Sequence, residues 1–283
     1  MQEPKKFFEE LRAQHTDACS TFFEVREEFL ATEVGSSLSS AARINTKHVI
    51  ASIKHILDQL TFQIWENTAA KSIDEKTRSE KAKRLYYPYC LNDENFRTRL
   101  GDYVDRSRLK RDMLTEDEKH FEKRIVSIQP FRGDAFRSLY TVCSLSRLPH
   151  QKLIEQKKTR IFVISALSPR GGGVFDMRFR DRPGRFSVWT YSGPDGTSTG
   201  IGHPPVVDTG AGERMTVLDF DPETMDFNHV EGAKTSVSEE MECQVEDMKF
   251  DGIVMLAEAL YAVDIAINES VGAPPLSHAV VWM

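Results

Sequence analysis

The hydrophobic pattern changes period twice along the chain, and this limits the fold more than any other feature. Up to about residue 158 apolar residues recur every three or four positions, from Thr159 they alternate, and from about residue 252 the helical spacing returns. The first spacing lines one face of an α-helix, and alternation lines one face of a strand. Each such element must hide its apolar side against another. The sequence therefore predicts an α+β fold: an antiparallel helical bundle, an inserted and mainly antiparallel β domain, and a closing C-terminal helix. The expected domains are 1–158 with 252–270 for the bundle and 159–251 for the β domain.

Within the bundle, Phe8, Leu11, His15, Ala18, Phe22, Val25 and Phe29 predict a helix over 5–31, with His15 as a satisfied core histidine. Ile50, Ile53, Leu57, Leu60 and Ile64 predict a second over 44–66. Residues 67–113 are mostly charged, apart from Leu85-Tyr-Tyr-Pro-Tyr-Cys-Leu91, whose proline and aromatics suit an ordered segment lying across a surface. Thr115 and Glu118 have capping-box spacing for a helix over 116–128. Another helix is expected over 134–146, with a break at Pro149, and the closing helix over 252–269. Strands are expected at 160–167, 213–220 and 238–247, and 175–179 and 186–190 read as a hairpin around Asp181-Arg-Pro-Gly184. The Gly/Pro-rich stretch from Ser192 to Gly212 reads as a connection between strands.

Charge and cysteine usage exclude several functions. Lys plus Arg total 37 against 43 for Asp plus Glu, a net charge of -6, which disfavours general coating of nucleic acid while leaving room for a local basic patch. The four cysteines, Cys19, Cys90, Cys143 and Cys243, are far apart and form no CxxC pair, so neither a zinc site nor a disulfide framework is expected. No metal site or cofactor is expected. Ser168-Pro-Arg-Gly-Gly-Gly173 lacks the ending of a phosphate-binding loop and reads as a flexible connection. No apolar run approaches the roughly 18 residues of a membrane helix, so no membrane association is expected, and the location is expected to be cytoplasmic.

Three ordered segments carry a family resemblance. Ala51-Ser-Ile-Lys-His-Ile-Leu-Asp-Gln-Leu60, then Tyr87-Pro-Tyr with Phe96 downstream, then Gln129-Pro-Phe-Arg-Gly133 with Leu139 and Leu148-Pro-His-Gln151 follow one another. Their order and spacing resemble those of a widespread group of bacterial proteins built on a HEPN-like helical bundle. The resemblance implies such a bundle, a dimer formed through it, and a connection to RNA or to defence systems. In that family an Arg-x4-His motif on a helix cleaves RNA: histidine moves the ribose hydroxyl proton while arginine stabilises phosphorane charge. Here Lys54 and Gln59 occupy those positions. Glutamine cannot serve as a general base near neutral pH, and lysine lacks the planar fork of arginine. The motif is degenerate, and the implied scaffold is one that binds rather than cleaves.

The remaining candidates divide between chemistry and binding. A rearranged catalytic set could draw on Arg43 and His48, which form a second Arg-x4-His, on His55, or on His150. Lys54 and Asp58 have the spacing of an intrahelical ion pair. His150 is expected to face Asp58 as a structural partner. Arg178, Arg180 and Arg185 with Trp189 are candidate ligand-binding residues, because arginines interleaved with aromatics suit an RNA or an acidic partner. The expected function is a non-catalytic binding or interaction protein. The alternatives are a metal-independent RNase with a rearranged site and a structural or assembly subunit, for which the long amphipathic first helix is the main argument.

Overall fold

A computed structural model shows an α+β protein. The structure describes residues 4–148, 154–167, 174–179, 186–193, 196–202, 213–221, 226–229, 234–245 and 251–271. These divide into two compact units, one holding the helices and one that spans 33–36 and 158–242.

The helical unit is organised by three long elements. α1 (Pro4–Ala31), α2 (Ser40–Asn67) and α8 (Gly252–Val271) touch one another, and α7 (Asp134–Leu145) packs on α2 and α8. Their apolar stripes meet in one core: Leu11, Phe22 and Val25 of α1, Ile53, Leu57 and Leu60 of α2, and Leu256, Leu260 and Val263 of α8 are all fully buried. α2 starts at Ser40, earlier than its apolar stripe, because Ser39 caps it by accepting from the Ala42 amide. The Glu28 carboxylate in turn accepts from the Ser39 amide and hydroxyl at 2.7 and 2.9 Å, fixing the turn out of α1. His15 is the one polar member of the α1 stripe. Its Nε2–H donates to the Leu260 carbonyl of α8 at 3.0 Å, so it is a satisfied histidine at the core's edge. Gly252 opens α8, and a Cβ there would lie 2.1 Å from Val245 Cγ2. Only glycine lets the chain pass Val245 so closely.

The charged stretch holds more helix than its composition suggests. α3 (Glu75–Ala82), α4 (Asp93–Leu100) and α5 (Arg106–Lys110) are short, and Asp74, Asn92 and Asp105 cap them by accepting backbone amides. Then comes α6 (Glu116–Ser127), where the Thr115–Glu118 capping box forms as its spacing predicts. Glu118 also accepts from the Asp105 amide and from Arg108, so the cap of α6 is tied to the start of α5. The aromatic segment departs from expectation. Leu85, Tyr87 and Cys90 are buried while Tyr86 and Leu91 are exposed. The segment threads into the core instead of lying across a surface, because side chains from elsewhere satisfy its backbone amides.

The second unit contains two sheets. One has the order β2–β1–β7, with β1 at Gln156–Leu167, β2 at Val174–Phe179 and β7 at Lys234–Val245. The other has the order β4–β3–β5–β6, with β3 at Phe186–Gly193, β4 at Gly196–Gly202, β5 at Glu213–Asp221 and β6 at Asp226–His229. β1 pairs antiparallel with β2, and all three pairings of the four-stranded sheet are antiparallel. The hairpin expected between 175–179 and 186–190 does not form: β2 pairs with β1, and β3 pairs with β4 and β5. Alternation states which face a strand buries, not which neighbour it takes. The stretch from Ser192 to Gly212, expected to be a connection, contains β4. Residues 168–173, the turn expected at 181–184 and the break expected at Pro149 lie outside the described residues. No helix among the described residues is long and apolar enough to cross a membrane.

Candidate functional site

The three sequence segments separated by dozens of residues meet at one place in the helical unit. Asp58 of α2 accepts from the Tyr87 amide at 2.7 Å. The Tyr87 hydroxyl donates to the Ile128 carbonyl at 2.5 Å, just before Gln129. Gln129 Oε1 accepts from the Cys90 amide at 3.1 Å. Tyr89 meets Tyr140 of α7 edge to face at 5.9 Å, and Phe96 lies 6.5 Å from Phe131. Residues 85–90, which have no regular structure, are therefore clamped between α2, the end of α6 and α7.

Two aromatic rings of this segment carry cations. The Lys54 amine lies 5.4 Å from the centroid of the exposed Tyr86 ring, and the Arg147 guanidinium lies 4.9 Å from that of Tyr89. Both distances suit attraction to the negative face of the ring. Lys54 also pairs with Asp58 one turn on, as the i, i+4 spacing predicts. Asp58 Oδ1 thus serves Lys54 and the Tyr87 amide together, and holds the lysine beside Tyr86.

The chemistry open to the site is restricted. Burial pushes the Cys143 thiol up to about 12, with Lys54 pulling the other way. Burial likewise raises the Cys90 thiol and holds Tyr87 well above the usual phenol range. These groups stay protonated and are poor nucleophiles or bases near neutral pH. Gln59 donates to His55 Nε2 at 2.9 Å, so the glutamine is engaged with an exposed imidazole. Among the described residues, no group of three or more His, Cys, Asp or Glu side chains is placed to hold a metal ion.

The other candidates fall elsewhere. Arg43 reaches Ser40 at 3.4 Å near the start of α2. His48 is exposed and borders a cavity of about 200 Å³ together with Lys47, Ser146 and Leu148. It stands six residues before Lys54, about 9 Å along the helix axis at 1.5 Å per residue. His150 lies outside the described residues, and Asp58, its expected partner, pairs with Lys54 and the Tyr87 amide. In the second unit, Arg178 sits opposite Val163 on β2 and pairs with Glu240 at 2.5 Å. Trp189 belongs to β3, opposite Gly200 and Thr216, while Arg180 and Arg185 lie outside the described residues.

Sequence inspection selected Lys54, His55 and Asp58 but missed Tyr86, Tyr89 and Arg147. The signal for the first two was present in the clustered aromatics of Tyr86-Tyr-Pro-Tyr89, of which Tyr86 is exposed, Tyr87 buried and Tyr89 half-buried. Nothing in the sequence pairs Arg147 with Tyr89. Comparison of the chain with protein-family models, curated proteins and solved structures gives no match.

Proposed function

We propose that this chain is a non-catalytic binding protein on a HEPN-like helical scaffold, and that the face of Lys54, Tyr86, Tyr89 and Arg147 holds single-stranded RNA. The observation that carries this reading is the exposed Tyr86 ring, 59% accessible, with the Lys54 amine fixed beside it. A flat aromatic surface accepts any base by stacking, and an adjacent cation attracts the phosphates; base–aromatic stacking is worth about 1–3 kcal/mol per base. The meeting of the three family-like segments supports the scaffold. Binding without cleavage fits the same geometry. Lys54 is committed to Asp58, Gln59 to His55, and the nearby thiols are protonated. The overall negative charge directs attention to a local site rather than to a coating surface.

The test is fluorescence anisotropy with a labelled single-stranded RNA, run beside a cleavage assay without metal. Tyr86→Ala should weaken binding by the stacking contribution of about 1–3 kcal/mol, roughly fivefold to a hundredfold and more. Wild type should leave the RNA intact. Robust cleavage that disappears in a His48→Ala/His55→Ala double variant would promote the rearranged RNase in place of the binding protein.

A further inference from the structure

We propose, resting on the reading above, that the groove between α3 and the link from α4 to α5 holds the sugar–phosphate backbone of the strand whose base stacks on Tyr86. The groove has a volume of about 770 Å³ and is lined by Lys81, Lys83, Arg84 and Arg106 and by the carboxylates of Glu80 and Asp102. A second pocket of about 330 Å³ shares Thr77, Lys81 and Arg106, but Asp74 and Asp105 line it too and its Arg108 is paired with Asp105 and Glu118, so the surplus of positive charge lies in the main groove. Four cations therefore meet two carboxylates in the main groove.

Local bonds leave this surplus of positive charge in place. Arg106 donates to the Gly101 carbonyl at 3.2 Å and to Asp102 Oδ1 at 2.6 Å, so one carboxylate is already committed. Lys81 donates to the carbonyls of Gly101 and Asp102 at 3.0 and 3.1 Å. Carbonyls satisfy its N–H groups without cancelling its charge. Burial and, after it, the nearby Arg106 guanidinium lower the Lys81 pKa, while Asp102, Asp105 and Glu118 pull the other way without reversing the shift, so the two cations still repel. An anion between them relieves that repulsion. Lys83 and Arg84 make no ion pair or side-chain hydrogen bond among the described residues, which leaves their charges open to a ligand.

The groove leads toward the aromatic face. Arg84 precedes Tyr86 by two residues, at most about 7 Å along an extended chain. The Tyr103 hydroxyl donates to the Tyr86 carbonyl at 2.5 Å, tying that residue to the one after Asp102. A strand stacked on Tyr86 thus has a cationic path at hand for its phosphates.

The experiment measures binding of a labelled single-stranded RNA to the full chain across a salt series. It compares wild type, Tyr86→Ala and a Lys83→Glu/Arg84→Glu double variant. Because Lys83 and Arg84 bind no other described side chain, the double variant should melt as wild type does. It should bind RNA at least about tenfold more weakly at low salt. Its plot of log affinity against log salt should flatten by about 1.4, the equivalent of two phosphate contacts on a single strand. Tyr86→Ala should weaken binding with the salt slope kept. Wild-type affinity and slope in the double variant, beside impaired Tyr86→Ala, would overturn the groove alone and leave the aromatic face standing. Wild type that binds no RNA would overturn both. In that event a thermal shift with inorganic tripolyphosphate, seen in wild type and lost in the double variant, would reassign the groove to small polyphosphates.

Discussion

Leu57 and Tyr87 are both almost fully buried, at 0% and 2% exposure, yet different forces put them there. Leu57 belongs to an apolar stripe, and α1, α2 and α8 pack because each hides its own stripe against the others. Tyr87 enters the core with a backbone that no helix or strand satisfies. Its amide is met by Asp58, its hydroxyl by the Ile128 carbonyl, and the Cys90 amide nearby by Gln129. The first region tolerates exchange among apolar side chains of similar volume, because burial has no direction. The second does not, because each hydrogen bond needs a particular atom at a particular place. A surface that must hold a ligand in one geometry is better built on the second kind of support.

Three substitutions sharpen that contrast. Leu57→Ala should have the largest effect, about 2–5 kcal/mol of stability, as for other leucines truncated in a closed core. Chemical denaturation reads it directly, and a loss below about 0.5 kcal/mol would place Leu57 among surface residues. Asp58→Ala should cost about 1–3 kcal/mol, because the Tyr87 amide loses its acceptor inside the fold. It should also release Lys54 and thereby weaken binding at Tyr86, whereas Leu57→Met should leave binding intact. If Asp58→Ala changes neither stability nor binding, the clamp is not what holds the segment.

The smallest effect concerns His15, the polar exception in the apolar region. Burial lowers its pKa, while the Leu260 carbonyl and Asp264 pull the other way. The folded protein therefore takes up this proton less readily than the unfolded chain. Its contribution is neutral at higher pH and turns against folding as pH falls through the usual histidine value of about 6.5. The loss stops growing once pH passes below the folded-state pKa. His15→Gln should accordingly make the melting temperature less sensitive to acid between about pH 7 and pH 5. An unchanged pH dependence would show that His15 does not report on folding.

The same contrast separates what the sequence discloses from what it hides. The stripes of α1, α2 and α8 repeat at helical spacing over many turns, so their positions could be read directly, as could the Thr115–Glu118 box. α3 buries no residue, so no stripe announces it, although Asp74, Asn92 and Asp105 stand in the sequence as capping signals for the three short helices. β4 reads Gly-Thr-Ser-Thr-Gly-Ile-Gly and carries almost no apolar alternation. At the candidate site, Lys54 and Asp58 were legible because they share a helix. Tyr87 with Asp58 and Arg147 with Tyr89 join residues 29 and 58 positions apart, and no local pattern specifies such pairs.

The place of α8 in the chain bears on how the molecule is made. Its buried face, Leu256, Leu260 and Val263, completes a core whose other members, apart from Cys243 and Val245 just ahead of α8, lie before residue 158, separated from it in sequence by 158–242. During synthesis from the N-terminus, α1, α2 and α7 emerge with that side of the core open, and it stays open while 158–242 are translated. At about 5–20 residues per second this amounts to several seconds of exposed apolar surface. The nascent chain is thus at its most vulnerable in mid-synthesis, and a chaperone that shields helical surfaces would matter most in that interval.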